Sequence, residues 1–420
     1  MSLPFANTSI EPSDWPDGSL LDLCSLVSDQ CDPAKTDHEV YVGLEHIDPS
    51  AFTISRHGSP KDVVSAKNRF KKDDILYGKL RPYLDKAVLA QEEGICSTDI
   101  LVFRPREEVC PLFALALIHS KPFLEYAVQT TNGVNHPRTS WAALKDFECS
   151  IPPFSEQKKI AAVLWKIQKA VEIEDAIVGN TRDLKKSLLR RLFTHGLRGE
   201  PLKETEIGPV PQRWDVVSLA RLCMSSAFGP RFSGSLYSTE GGVLTLRTTD
   251  LDDDGRIDFS HVPAANLNPE DWSEHLLQPN DCVVSRSGTC GIVAVFEGHE
   301  KPVLPGAFLI RVRLNNALLP QFFRYFGNSP NGRAQMEQLA QGAIQKNISG
   351  TRLLTFKLPL PCPDEQRQFV DVLRAVDRKI DTHESKKRSL QDLFKTLLHK
   401  LMTAEIRVND LDIDTREIIK

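Results

Sequence analysis

The feature that most constrains the fold of this chain is a long internal repeat. A segment of 40 residues that begins at Ser155 recurs without a gap 209 residues later, from Asp364. Eleven of the 40 aligned positions are identical, and most of the apolar positions are matched in type. Upstream of this segment the repeat continues with small insertions and deletions, so that Trp15 and Trp214 are also equivalent. The repeat predicts two copies of one unit, each a globular part followed by a long segment.

Both long segments carry the hydrophobic pattern of α-helices that pack along each other. Their apolar residues follow a 4-3-4-3 spacing, the two-in-seven pattern of a coiled coil. Ser155 and Asp364 are the expected N-caps, and Gly196 is expected to end the first helix. Forty residues in a helix would form a rod of about 60 Å. The predicted seam of the helix pair consists of Ile160, Leu164, Ile167, Val171, Val178, Leu188, Leu192, Phe369, Leu373, Val376, Ile380, Leu390, Phe394, Leu397 and Leu401.

The equal lengths and matched seams of the two helices favour an antiparallel pair. An alternative, in which each helix covers only its own domain, stays open at this point. Polar residues at Glu174, Thr181 and Lys185 interrupt the first seam, and His383 and Lys387 interrupt the second.

The globular parts read as mixed α/β, so the predicted fold class is two α/β (α+β) domains with two long helices and a pseudo-twofold internal repeat. Strand-like runs are expected at 75–90, 95–104, 281–296 and 302–314, and short helices at 112–119, 122–129, 319–326 and 334–341. The predicted organisation is a first globular domain at 1–154, a long helix at 155–196, a linker at 197–213, a second globular domain at 214–363, a second long helix at 364–404 and a tail at 405–420.

Composition and charge narrow the class of protein. No apolar run approaches the roughly 18 residues that a membrane-spanning helix needs. The nine cysteines form no C-x-x-C pair, which argues against a zinc site and favours a reducing, cytoplasmic environment. The net charge of −4 is unevenly distributed: residues 286–357 hold nine Lys or Arg against three Asp or Glu. Local basic stretches of this kind could face a phosphate backbone.

One short motif raises the possibility of an enzyme. Ile151-Pro152-Pro153-Phe154 differs by one residue from the Asn/Asp/Ser-Pro-Pro-Tyr/Phe motif of amino-directed DNA methyltransferases. In that motif the first residue accepts a hydrogen bond from the target amino group, and Ile151 has no acceptor. The second copy of the stretch has lost the aromatic residue, and no glycine-rich loop suited to S-adenosylmethionine or nucleotide phosphates is found. The stretch is therefore expected to end a strand and begin a helix, and no catalytic residue or metal ligand is predicted.

Polar and basic residues lie at repeat-equivalent places in predicted loops. Asn, Gln and Arg can form paired hydrogen bonds to base edges, whereas Lys and Arg contact phosphates. Their coincidence in both halves favours DNA contact over ordinary loop chemistry. The candidate DNA-binding residues are Lys79, Arg81, Tyr83, Asn132, Asn135, His136 and Arg138 in the first half, and Arg231, Arg247, Arg286, Ser287, Thr289, Gln341, Gln345, Lys346 and Asn347 in the second.

Several segments match a known family. These are "KETEIGPVPQRWDVVSLARLC", the helix starts "PPFSEQKKIA" and "PDEQRQF", and "LKKSLLRRLFTHG", together with "DCVVSRSGTCG" and "GAIQKNISG". Through them the chain resembles the specificity subunits of type I restriction–modification systems, from about Trp15 to Thr403. In the first half, Gly78-Lys79-Leu80-Arg81 replaces the Arg-Ser-Gly turn of the second half.

The resemblance implies a function and a set of partners. It implies two target-recognition domains, each reading one half of a bipartite DNA sequence, and a helix pair that sets the gap. It also implies two modification (methyltransferase) subunits that dock on the helices, and restriction subunits that translocate and cut DNA. S-adenosylmethionine, ATP and Mg would serve those partners, with no cofactor and no catalysis in this chain. The alternatives are a solitary adenine-specific DNA methyltransferase and a coiled-coil scaffold without a DNA role.

Overall fold

The computed structural model describes residues 15–133, 135–342 and 346–418. The chain divides into two compact units: unit 1 is Met1–Ala176 with Glu384–Lys420, and unit 2 is Ile177–His383. Each unit contains one globular domain and a part of both long helices. No helix among the described residues is long and apolar enough to cross a membrane.

Unit 1 is built on two four-stranded sheets. Its strands are β1 (Asp17–Ser19), β2 (Cys24–Val27), β3 (Gln30–Cys31), β4 (Tyr41–Val42), β5 (Lys67–Phe70), β6 (Ile75–Gly78), β7 (Ala87–Leu89), β8 (Gly94–Cys96), β9 (Ile100–Pro105) and β10 (Glu148–Ser150). One sheet has the order β2-β9-β6-β7 and the other the order β3-β5-β8-β4, in which β4 and β8 are parallel. A separate pair, β1 with β10, joins the beginning and the end of the domain.

The helices of unit 1 cover the first of these sheets. They are α1 (Leu20–Leu23), α2 (Pro111–Ile118), α3 (Lys121–Gln129), α4 (Trp141–Leu144) and the first part of α5 (Phe154–His195). Helix α2 is apolar on all sides and buried along nearly its whole length, as expected for a helix in the middle of a core. Residues from both long helices belong to the same core cluster, among them Ile160 and Leu401.

Unit 2 has the same general arrangement of strands and helices as unit 1. Its strands are β11 (Leu202–Lys203), β12 (Val210–Pro211), β13 (Asp215–Ser218), β14 (Cys223–Phe228), β15 (Val243–Leu246), β16 (Ala264–Ala265), β17 (Cys282–Ser285), β18 (Val293–Val295), β19 (Val303–Pro305), β20 (Leu309–Leu314) and β21 (Lys357–Leu360). Its helices are α6 (Pro320–Gly327), α7 (Pro330–Leu339), α8 (Gly350–Leu353), the second part of α5 and the first part of α9 (Pro363–Met402).

The strand pairings of the two units correspond one to one in their central sheets. The order β14-β20-β17-β18 matches β2-β9-β6-β7, the parallel pair β15–β19 matches β4–β8, and β13–β21 matches β1–β10. The predicted fold class, a duplicated mixed α/β domain with two long helices, is confirmed.

The start of each long helix is locked to its domain by the repeated Glu-Gln pair. In unit 1, Glu156 accepts a hydrogen bond from the indole of Trp15 (3.1 Å). The amide of Gln157 accepts from the backbone N–H of Cys110 and donates to the carbonyl of Pro152 (both 2.9 Å). Both side chains are buried. The pair therefore fastens the helix to the sheet edge and to the core helix α2.

Unit 2 contains the same junction. Glu365 accepts from the indole of Trp214 (3.0 Å), and Gln366 accepts from the backbone N–H of Leu319 (2.8 Å). A cation also pairs with each glutamate: Arg407 with Glu156 in unit 1 and Arg213 with Glu365 in unit 2. Burial alone would raise the pKa of Glu156, but hydrogen bonds from Arg407 and Trp15 outweigh it and hold the pKa below its usual range.

The predicted N-caps are wrong by two residues. The helices begin at Phe154 and Pro363, so Ser155 and Asp364 lie inside the first turn. The first intrahelical bonds run to the carbonyls of Pro153 and Cys362. A proline lacks a backbone N–H but retains its carbonyl, so Pro153 can open the helix without an orphaned donor. The prediction that the Pro-Pro stretch ends a strand and begins a helix agrees with this geometry, because β10 ends at Ser150. Gly196 follows α5 with a φ of 67°, which glycine adopts without strain.

Within each unit the two long helices are antiparallel. In unit 1, Glu174 pairs with Lys386 (2.5 Å) and Asp175 with Lys387. In unit 2, Lys185 pairs with Asp377 (2.8 Å), and Phe193 packs against Phe369. Both long helices contribute to the core of each unit, so the alternative in which each helix covers only its own domain does not hold.

The predicted seam residues are buried or half-buried in the structure. The buried ones are Ile160, Leu164, Val171, Val178, Leu192, Phe369, Leu373, Ile380, Phe394 and Leu401. The half-buried ones are Ile167, Leu188, Val376, Leu390 and Leu397.

Three sequence-based expectations differ from the structure in unit 2. The helix expected at 334–341 is α7, which begins four residues earlier because Ser329 caps it and Pro330 occupies its first position. The run 302–314 forms two strands, β19 and β20, because Gly306 turns the chain between them; a Cβ at this residue would lie 2.7 Å from the carbonyl oxygen of Leu246. The predicted linker 197–213 contains the short hairpin β11–β12, with Val210 buried in the core of unit 2. Arg213, at the end of this hairpin, forms the ion pair with Glu365 described above.

Candidate nucleic-acid interface

The two loops singled out in the first half are joined by backbone hydrogen bonds. The chain after β6 meets the segment after α3: the N–H of Thr139 donates to the carbonyl of Lys79 (3.1 Å), and the N–H of Arg81 donates to that of Pro137 (2.8 Å). Asn132 and Arg138 exchange two backbone bonds (2.9 and 3.0 Å), which closes the second loop on itself. Loop pair 1 denotes residues 79–85 with 132–138. Val134 lies outside the described residues.

Two cations of loop pair 1 contact a carboxylate that nothing in the sequence pattern singled out. Arg138 contacts Asp99 through Nε (3.1 Å) and Nη2 (3.4 Å), and the Nζ of Lys79 lies 3.9 Å from the same side chain. The hydrogen bond to Asp99 raises the pKa of Arg138. Asp99 comes directly before β9, in a turn with no motif of its own, so only the fold brings it to these cations.

The remaining predicted residues of loop pair 1 are at the surface. Arg81 adopts a left-handed backbone conformation (φ 51°) that turns the chain into a short 3-10 helix. The exposed side chains are those of Arg81, Tyr83, Asn132, Asn135, His136 and Arg138, and that of Lys79 is half-buried. These seven residues therefore lie on or beside one continuous pair of loops.

Unit 2 has the same backbone arrangement at equivalent residues. Gln341 and Asn347 exchange two backbone bonds (3.0 and 2.8 Å), as Asn132 and Arg138 do in unit 1. The N–H of Ile348 donates to the carbonyl of Arg286 (2.9 Å), which ties this segment to the turn after β17. Loop pair 2 denotes residues 286–290 with 341–348. Gln345, a predicted contact residue, lies outside the described residues.

The guanidinium of Arg286 is held in place from two sides. Its Nε donates to the side-chain oxygen of Asn347 (3.1 Å), and the guanidinium lies over the ring of Phe228 at 4.3 Å from the centroid. An Arg positioned in this way loses less conformational freedom when it binds a ligand. Phe228, at the end of β14, is another residue that the sequence analysis did not identify.

A thiol joins the two segments of loop pair 2. The Sγ of Cys290 donates to the carbonyl of Arg286 (3.0 Å) and lies 3.3 Å from that of Lys346. Burial raises the pKa of this thiol, so it remains a neutral donor at physiological pH. Lys346 and Thr289 are exposed, whereas the side chain of Ser287 is buried and does not reach the surface.

Three further predicted residues of the second half differ in their surroundings. Arg247 is held by Asp250 through two nitrogens, and this carboxylate raises the pKa of Arg247. Its guanidinium also donates to the carbonyl of His261. Arg231 is exposed on the loop after β14. With its amide turned to match its neighbours, Gln341 accepts from both terminal nitrogens of Arg352. Arg247 and Gln341 thus already have internal partners.

No group of three or more His, Cys, Asp or Glu side chains is arranged to hold a metal ion in the part of the chain that the structure describes. The nine cysteines are free thiols.

The structure has a duplicated α/β domain, a pair of polar loops in each copy and two long helices. These features point to the class of DNA-recognition proteins with two target-reading domains. The model of the type I restriction modification DNA specificity domain matches residues 12–178 and 211–392. The chain belongs to this family.

Individual relatives are distant but cover most of the chain. The type I restriction enzyme MjaVIII specificity subunit of Methanocaldococcus jannaschii is 24% identical over 335 residues, 76% of each chain. The EcoKI specificity subunit of Escherichia coli is 22% identical over 379 residues, 85% of this chain and 81% of that protein. The crystal structure of the type I restriction-modification system S subunit from M. genitalium is 15% identical and covers 95% of this chain and 98% of that one, with a TM-score of 0.59. The latter similarity is one of fold.

Proposed function

We propose that this chain is the DNA-reading subunit of a type I restriction–modification complex, and that each domain reads one half of a bipartite target. The observation that carries the proposal is the duplicated loop pair. In both units the two loops share three backbone hydrogen bonds, and a cation and an amide lie at equivalent positions, Lys79 with Asn132 and Arg286 with Gln341. The family of the chain is described by its DNA specificity domain, which supports this function over a solitary methyltransferase or a scaffold without a DNA role.

The side chains of the loop pairs suit both kinds of protein–DNA contact. Lys346 and Arg81 are exposed cations that can neutralise phosphates. The bond to Asn347 uses the Nε of Arg286 and not its two terminal nitrogens. An Arg held in this way can form paired hydrogen bonds to a base edge through those nitrogens. The two units present different sets of side chains on the same backbone, so the two half-sites are expected to differ.

The chemistry of the complex belongs, on this proposal, to other subunits. Two modification subunits would dock on the long helices and methylate adenine with S-adenosylmethionine, and restriction subunits would use ATP and Mg to translocate and cut DNA. This chain would hold no cofactor, would catalyse no step and would act in the cytoplasm with the DNA.

A methyl-transfer assay separates this proposal from the solitary methyltransferase. The purified chain is incubated with DNA and labelled S-adenosylmethionine, alone and with modification subunits. Transfer only in the presence of the modification subunits is expected. Methyl transfer to DNA by the chain alone would contradict the proposal.

The helix pair is proposed to act as the ruler between the half-sites. Two half-sites read from one face of DNA lie about 34 Å apart, one helical turn. Deletion of one heptad, about 10 Å of helix, from both α5 and α9 preserves the seam and is expected to change the gap but not the half-sites. The methylated adenines of the variant complex check this prediction. Altered half-sites across an unchanged gap would contradict it.

The exposed cation of loop pair 2 offers a second test. Lys346→Ala is expected to weaken DNA binding by the complex similarly for all sequences and to lower the slope of log K against log salt by about one. Lys301→Ala is the matched control, because Lys301 is also an exposed lysine of unit 2. Equal binding and equal salt slopes for the two variants would exclude Lys346 from the interface.

A further inference from the structure

One position beside each loop pair is occupied by chemically opposite residues in the two units. The strand register pairs Gly78 with Ile100 in unit 1 and Ser285 with Leu309 in unit 2. The next backbone bond is also shared: Lys79 donates to the carbonyl of Asp99 (3.0 Å), and Arg286 donates to that of Phe308 (2.9 Å). Asp99 and Phe308 are therefore structural equivalents, each directly before the central strand that follows.

Neither side chain has a role in the core of its domain. The side chain of Asp99 is 32% exposed, and Phe308 is 51% exposed. Among the described residues Phe308 has no aromatic ring partner. A single exposed apolar side chain is common on protein surfaces, so what marks Phe308 is its place beside loop pair 2, equivalent to that of Asp99 beside loop pair 1.

An acidic side chain at a DNA-binding surface needs a specific reason. Its charge repels phosphates, and as a carboxylate it can only accept hydrogen bonds. In the major groove the donors available to it are the amino groups of cytosine and adenine. Lys79 and Arg138 offset its charge, which allows it to approach DNA. Phe, in contrast, suits apolar contact with the methyl group of thymine.

We infer that Asp99 and Phe308 are the equivalent specificity-determining residues of the two domains. Asp99 accepts a hydrogen bond from a base amino group in the first half-site, cytosine N4 or adenine N6, and Phe308 contacts a thymine methyl group in the second. The inference rests on the proposed function and deepens it. The shared backbone holds the position, and the side chain selects the base.

The experiment uses the chain in complex with its modification subunits. The methylated adenines made by the wild-type complex define both half-sites, and methylation rates are then measured on duplexes with every single base-pair change. Asp99→Ala is expected to lose about tenfold to a hundredfold of the discrimination at one base pair of the first half-site. Because Lys79 and Arg138 lose their internal partner, the same variant is expected to bind non-specific DNA more tightly with a steeper salt dependence.

Phe308→Ala is expected to relax one T·A pair of the second half-site to a similar extent. Replacing that thymine by deoxyuridine removes only the methyl group. This replacement should weaken methylation by the wild-type complex and leave the Phe308→Ala complex unaffected. Asp29→Asn and Leu202→Ala are surface controls outside both loop pairs and should keep the wild-type specificity.

The outcomes separate the inference from the proposed function. Full discrimination at every position by both variants, when the wild-type complex methylates a bipartite target, would overturn the inference alone. Absence of any bipartite target for the wild-type complex would overturn the proposed function. A thermal unfolding midpoint equal to the wild type would show that relaxed specificity does not come from misfolding.

Discussion

Asp377→Leu is expected to lower the free energy of unfolding of unit 2 by about 3–5 kcal/mol, because it removes the anion at the centre of a buried charge cluster. Asp377 on α9 pairs with Lys185 on α5 (2.8 Å) and Arg324 on α6 (3.0 Å), and it accepts from the hydroxyl of Tyr325 (2.7 Å). Arg256 lies 3.4 Å away. Without the carboxylate, cations from three elements lose their common partner in a poorly solvated place.

The pH dependence of stability gives this prediction a second readout. Burial would raise the pKa of Asp377, but its bonds from Lys185 and Tyr325 outweigh burial and lower the pKa. A carboxyl with a lowered folded-state pKa stabilises the fold above its unfolded-state pKa, about 4, and this contribution is lost as the pH falls through the folded-state pKa. The variant should therefore lose less stability than the wild type below about pH 4.

Chemical denaturation, with hydrogen exchange to locate the effect, measures the change. Asp371→Leu is the control, because Asp371 is exposed on the same helix. Amide exchange is expected to accelerate in unit 2 for Asp377→Leu and to stay unchanged for the control. A loss below about 1 kcal/mol would mean that Asp254 and Asp381, which also pair with these cations, compensate for the missing carboxylate.

Gln366→Leu is expected to cost about 2–4 kcal/mol through unsatisfied backbone groups. The side chain is 0% exposed and accepts from the N–H of Leu319 (2.8 Å). It also donates to the carbonyls of Ala317 (2.8 Å) and Pro361 (2.9 Å). Leucine fits the volume approximately but leaves these backbone groups buried without partners.

The effect should appear where the domain meets the start of α9. Gln368→Leu, two residues along the same helix at an exposed position, is the control and should change stability by less than about 0.5 kcal/mol. Hydrogen exchange at Leu319 and in the first turns of α9 reports the local loosening. Equal stability of the two Leu variants would show that Gln366 does not hold the junction.

Periodicity and repetition in the sequence predicted the long helices and the equivalence of the two units. The 4-3-4-3 spacing predicted both long helices to within two residues of their observed ends, and the repeat predicted that Trp15 and Trp214 occupy equivalent places. Glu156 and Glu365 bond to these tryptophans across about 140 to 150 residues of chain. That contact was not predictable, because a buried carboxylate and an exposed one look the same in a sequence.

The candidate site was predicted in outline only. Gln341 and Asn347 were singled out by repeat equivalence, and the structure joins them by backbone bonds. Asp99 and Phe308 were missed, because an acid and an aromatic residue show no similarity in sequence, and their equivalence rests on strand register. Asp377 was also missed. Its partners Arg256 and Arg324 come from distant segments of the chain, and the apolar spacing of a helix carries no information about such contacts.

The most direct test of the central claim is the set of methylated adenines made by a chimeric complex. Residues 1–150 are replaced by the corresponding residues of a relative with a different target, and the host genome is sequenced with detection of methylated adenine. Two independent reading domains predict that one half-site changes to that of the relative, while the other half-site and the gap stay as in the wild type. A methylated sequence with both half-sites unchanged would contradict the account.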